Sequence, residues 1–290
     1  KGGSQKLNFK RIEWIFLVAF VILDLAMGLS LSWFRHSATS PQQNEQATII
    51  KEMHNESISF KPLSARQHDG YYMACDRTGG ASKLSQRLSR LSGQSNHMND
   101  NTLSVSFNQA VKINPNNPTT TLDKLVNDDH KVLYGSHYRY APDLSSNHQI
   151  VYTQMMAGRP VLMGEGAIKF HVEQGKRVTG YNQTYLSNVH TLRPRNETIS
   201  QTRAVIWLYK HNEIPNNTSI RWAKLGYTRL IISGNKAVYL PTWVVELHSK
   251  SSGDTQRVRV NAFTSAIMKG GSQTITTFDN NANKKESVAQ

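Results

Sequence analysis

The stretch 229-RLIISGNKAVYLPTWVVEL-247 reads as two apolar arms, rich in β-branched and aromatic residues, around Gly234 and Asn235. Such side chains suit a pleated surface, and Gly with Asn tolerates the positive φ of a tight turn, so the stretch predicts an antiparallel hairpin. VRVNAFTSAI at 258–267 supplies the next strand. Trp243, two residues after Pro241 at the start of WVVEL, is expected to anchor this last sheet.

Upstream, 167–186 repeats the theme: Ile168, Phe170 and Val172 alternate on one arm, Gly175 supplies the turn and Val178 begins the return. TLSVSF at 102–107 and QIVYTQMM at 149–156 are also strand-like. Two helical patterns interrupt them, one through Leu84, Leu88 and Leu91, the other through Ala204, Ile206, Trp207 and Tyr209, opened by Thr198 or Ser200. TTTLDKLVND at 119–128 follows a PNNP turn and reads as a short helix or a solvated loop. Antiparallel hairpins with a few helices predict an α+β class, in two small units over 61–194 and 195–269, dividing near Pro194.

Before these comes WIFLVAFVILDLAMGLSLSWF at 14–34, 21 residues with one charge, enough as a helix to cross about 30 Å of hydrocarbon. Trp14, Trp33 and Phe34 stand at its ends, where aromatic rings prefer the interfaces. A cleaved signal peptide is the rival reading, but the apolar run continues past the small residues Ala26 and Gly28, and Asp24 interrupts it. Lys1, Lys6, Lys10 and Arg11 precede the run and only Arg35 follows it before Lys51, so residues 1–13 are expected in the cytoplasm and the remainder outside. Residues 35–60 then form a polar stalk, and 270–290 a flexible tail.

A carboxyl group near the bilayer centre costs about 2.5 to 3.5 kcal/mol on insertion scales. Asp24 is therefore either tolerated as a protonated or hydrated group, or hydrogen-bonded to another helix, with Ala26, Gly28 and Ser30 offering a small-residue face for close approach.

The chain carries 34 Lys plus Arg against 20 Asp plus Glu, and residues beyond 36 keep +11 of the +14. A basic outer part fits lipid head groups, anionic wall polymers or an acidic protein surface, and nucleic acid is excluded by the side of the membrane. Cys75 is alone, so neither an intrachain disulfide nor a multi-thiolate metal site is possible.

Catalytic patterns are few. Ser233 and Lys236 fit S-x-x-K, but that chemistry needs a helix start, whereas Gly234 and Asn235 place them at a hairpin turn. The eleven histidines include no H-E-x-x-H, Cys75 lacks a local His or Asn signature, and Trp207, Trp222, Tyr134, Tyr138 and Tyr140 read as core or sheet residues. No cofactor, metal or reaction is expected.

The run 8-NFKRIEWIFL-17, with a polar residue inside the following helix, resembles the N-terminus of the YycI family. GYNQTYL at 180–186, Gly226-Tyr227, PTW at 241–243 and VNAF at 260–263 resemble that family's later motifs in the same order, extending the resemblance from Asn8 to about Ile267. One departure is Thr264-Ser265-Ala266, where the family pattern leads to the expectation of a Gly; another is the long tail after Lys269.

The resemblance implies a non-enzymatic membrane protein of low-GC Gram-positive bacteria that regulates the YycG (WalK) sensor histidine kinase. Its helix would touch the kinase and its ectodomain would pair with a YycH-like protein. A membrane-anchored cell-wall polymer-binding module or cell-wall enzyme is the alternative that the residues themselves leave open.

Overall fold

The computed structural model describes residues 41–76 and 78–269, together with Phe20, Leu23 and Asp24. Those three are helical and exposed; the rest of the run 14–34 and the tail 270–290 lie outside the described residues. Among the described residues, no helix is long and apolar enough to cross a membrane. The region expected as a polar stalk contains a helix, α1 (Pro41–Asn55).

The chain divides into two units, Lys1–Glu52 and Met53–Gln290. The second is built on two antiparallel sheets. The first runs β3 (Gln94–Asn99), β4 (Thr102–Lys112), β9 (Arg177–Gln183), β8 (Ala167–Glu173), β6 (Gln149–Met156) and β5 (Tyr138–Tyr140), with β7 (Arg159–Pro160) beside β6. In β8 the expected alternation holds: Ile168, Phe170 and Val172 are buried while His171 and Glu173 are exposed. Gly175, at φ +67°, lies in the turn to β9, and Val172 faces Val178.

The core of this sheet centres on Phe170, Tyr181, Tyr152 and Leu103, and receives Leu84 from α2 (Gly79–Ser85) and Leu122 and Val126 from α3 (Thr119–Val126). The helix expected through Leu84, Leu88 and Leu91 is broken: α2 ends at Ser85 and a 3-10 turn, Leu88–Arg90, follows. Ser85 and Ser89 are weak helix formers, and Leu88 and Leu91 still pack on the core that buries Leu84.

The second sheet runs β10 (Ser187–Thr191), β2 (Met73–Asp76), β13 (Lys236–Ser249) and β12 (Thr218–Ser233), with β14 (Thr255–Asn261) also on β13. A small ribbon pairs β1 (Asp69–Gly70) with β11 (Asn196–Glu197). Helix α4 (Gln201–Lys210) packs against β12 and β13; Ser200 caps it, its Oγ accepting from Arg203 N at 3.2 Å.

The chain does not divide near Pro194. β2 and β10 precede that residue yet belong to the sheet of β12 and β13, and Val161 bridges to Tyr227. Strand β13 changes neighbour along its length, pairing β2 through 236–239 and β14 through 242–248. Pro241 falls in the gap between those ladders, so its missing N–H breaks no pairing there.

The motifs that resembled a family hold this framework. Gln183, fully buried, donates from Nε2 to Leu133 O at 2.6 Å, and Thr184 Oγ1 accepts from Gly166 N at 2.8 Å. Trp243 donates from Nε1 to Ile199 O at 2.9 Å. A Cβ on Gly226 would stand 2.5 Å from Leu162 Cγ and from Pro160 O, so only Gly permits the chain at 160–162 to approach β12. Asn261 Oδ1 accepts from Phe263 N at 2.9 Å and opens the turn after VNAF. Within Thr264-Ser265-Ala266, the stretch where a Gly was expected, Ser265 takes the left-handed conformation, φ +62°, and the turn still returns Ile267 to Val260.

Candidate interaction surface

The end of the β12–β13 hairpin gathers exposed aliphatic surface. Leu230, Ile231 and Ile232 are 47%, 56% and 37% exposed. The pairing of β12 with β13 shifts register between Arg229 and Ile231, which leaves Leu230 as an extra residue. Such a bulge re-aims the side chains that follow it. Gly234, φ +58°, makes the turn, and Asn235 Oδ1 accepts from Thr78 Oγ1 at 2.9 Å, tying the turn to the segment after β2.

Beneath the hairpin is a compact floor of Met73, Cys75, Ala237, Tyr239, Tyr227 and Leu186. Burial, reinforced by the carboxylates of Glu165 and Asp76, pushes the Cys75 thiol up to about 11. Burial likewise raises Tyr239, helped by Cys75 and Glu165. These groups are neutral packing elements at ordinary pH, and Cys75 is fully buried, as a structural thiol is expected to be. Glu165 also meets Arg229 Nη1 at 3.5 Å, which fixes the base of the exposed end.

Three consecutive exposed aliphatics beside a strand edge form a surface that invites a partner. Past Tyr227, which bridges to Val161, β12 is paired to β13 on one side alone among the described residues. The sequence marked 229–233 as a strand arm; the missed signal was the run of three aliphatics, which cannot all face one core in a strand of period two.

The sequence-derived residues distribute as follows. Asp24 is helical and exposed, whereas Ala26, Gly28 and Ser30 lie outside the described residues. Ser233 and Lys236 face each other across the hairpin turn as a register pair. Tyr138 is buried, its Oη donating to Thr184 O at 2.6 Å, while Tyr134 stacks on Tyr185 with ring centroids 4.5 Å apart beneath the Arg87 guanidinium. The Trp207 and His211 rings lie 4.2 Å apart between centroids, tilted by 34°, and Trp222 lies under Arg257. Among the described residues, no group of three His, Cys, Asp or Glu converges in a metal-binding arrangement.

The family model described as YycI protein matches residues 37–263, well over half of the chain. The match covers GYNQTYL, Gly226-Tyr227, PTW and VNAF, and begins after the run at 8–17. A comparison with curated proteins gives no match. Among solved structures, an uncharacterized protein from Eubacterium rectale aligns over 74% of this chain and 91% of its own, at 9% identity and a TM-score of 0.44. The C-terminal domain of Bacillus megaterium YpeB aligns over 79% and 96%, at 11% identity and a TM-score of 0.32. The chain belongs to the YycI family, a regulatory, non-catalytic family of membrane-anchored accessory proteins of the YycG (WalK) kinase.

Proposed function

We propose that this YycI-family chain biases an essential cell-wall-controlling sensor histidine kinase of the YycG/WalK type through two contacts. One is a packing contact of the helix 14–34 with the kinase's membrane helices, made by Asp24, Ala26, Gly28 and Ser30. The other is pairing of the ectodomain with a YycH-like membrane protein. The observation that carries the reading is the family match over 37–263. Lys and Arg before the helix and the +11 beyond it support a cytoplasmic N-terminus and an outer domain held near anionic lipid.

The mechanism is a population shift. A kinase with two arrangements of its membrane helices moves toward whichever one the partner binds better, and only by the difference in affinity. A membrane hydrogen bond from Asp24 is worth about 0.6 to 2 kcal/mol, enough to tune such an equilibrium and too little to hold a complex. Ectodomain pairing then supplies the retention, for which the exposed Leu230, Ile231 and Ile232 are the natural surface.

Co-purification of the full chain from its native membrane in mild detergent tests the proposal. Wild type is expected to bring a histidine kinase and a second bitopic protein. Asp24→Leu is expected to weaken kinase recovery while keeping the second protein. Recovery of neither by wild type overturns the proposal.

A further inference from the structure

Away from the hairpin end, a cavity of ≈ 180 Å³ opens where β12 meets β5, β6 and the turn after β5. Its wall is apolar, made chiefly of Tyr140, Pro142, Leu144, Met155, Leu162 and Trp222. Three charged residues complete the lining: Arg139, Asp143 and Lys224. An apolar pocket with a few convergent polar groups is the usual form of a small-molecule site, and this one is smaller than the few hundred Å³ that a drug-sized ligand fills.

The site is preorganised on its Trp222 side. A register shift between Ile220 and Trp222 sets the position of the indole. The Arg257 guanidinium lies 5.4 Å from the ring centroid and is itself held by Glu246, at 2.8 Å from Nη2 and 2.9 Å from Nε. The indole Nε1 is buried with no acceptor among the described residues, an arrangement that costs a desolvated donor.

Charge defines what the cavity lacks. Lys224 on β12 pairs with Asp143 in the 3-10 turn Pro142–Leu144. Arg139 directs Nη1 to the carbonyls of Ser136 and Tyr138, at 2.8 and 2.7 Å. The lining thus carries two cations and one carboxylate beside an apolar wall, and burial lowers the pKa of the Lys224 amine, so an added anion there would be stabilised.

We propose that this cavity binds a small organic monoanion, a carboxylate on an apolar or aromatic body, with its head at Lys224 and Arg139 and its body against Trp222 and Leu162. Asp143 is the internal counter-ion that such a ligand competes with. This goes beyond the regulatory reading and does not depend on it.

The test is calorimetric titration of the full chain in lipid nanodiscs with phenylacetate, against its neutral isostere phenylacetamide. Wild type is expected to bind phenylacetate saturably, in the millimolar range or tighter, and phenylacetamide at least tenfold more weakly. Asp143→Asn removes the competitor and is expected to tighten phenylacetate severalfold, a gain that misfolding cannot imitate. Leu144→Trp fills the cavity and is expected to abolish binding, and Lys224→Met to erase the preference for the anion. Absence of saturable binding to wild type overturns the proposal, as does equal affinity for both compounds, or phenylacetate binding that Asp143→Asn and Leu144→Trp leave unchanged.

Discussion

Ser265 shows how a single position can depart from a family's pattern without losing the turn. It holds φ +62° and is buried, in a conformation that costs a residue with a Cβ about 1 to 2 kcal/mol. Replacement by Gly removes that strain and adds back some chain entropy, so Ser265→Gly is expected to stabilise by about 0.5 kcal/mol, read by urea denaturation. Ser265→Val should destabilise. Cys75 gives a second prediction, in pH. Its thiol is pushed up to about 11 in the folded chain, against about 8.5 when unfolded. The folded state therefore holds the proton more tightly, its stabilising effect is complete below the unfolded value, and it is lost as pH rises through the folded one. Stability should fall between about pH 9 and 11, with a shallower fall in Cys75→Ala. The same burial leaves the folded thiol unreactive toward Ellman's reagent at pH 8, with labelling appearing only on denaturation.

Among the elements, the hairpin β12–β13 was legible because alternation and a Gly-Asn turn are local signals, and α4 because Ser200 precedes a period of 3.6. The entry of β2 into the same sheet was not legible. MACD is four residues long, and its register partners, Cys75 with Ala237 among them, lie far away in the chain. Long-range pairing leaves no mark in local periodicity. Helix α1 was missed for the opposite reason: its sequence, PQQNEQATIIKEMHN, has few apolar residues to set a period. The exposure of Leu230, Ile231 and Ile232 left only one local trace, three consecutive aliphatics where a strand of period two can turn at most two to one face, and the bulge at Leu230 that exposes them is not written in the residues themselves. Two predictions belong to these elements. Gly226→Ala forces a Cβ against Leu162 and Pro160 and should cost about 3 kcal/mol or more in thermal denaturation. Ile231→Asp changes an exposed residue, so it should move stability by no more than about 0.5 kcal/mol while lowering recovery of the ectodomain partner.

For the whole molecule, the α+β class and the family were legible in the sequence, because hairpin alternation and ordered short motifs are both local. The structure shows that much of what resembled the family is framework: Gln183, Trp243, Asn261 and Gly226 satisfy buried backbone or permit close packing. These residues build a platform, and under the proposed mechanism the output of that platform is a changed kinase equilibrium. The direct measurement is the autophosphorylation rate of a YycG/WalK-type kinase in proteoliposomes, with and without the full chain and a YycH-like partner. A differential contact of about 0.6 to 2 kcal/mol corresponds to a change of about 3- to 30-fold, and Asp24→Leu should remove most of it. Identical rates with and without the chain, at saturating incorporation, would contradict that mechanism.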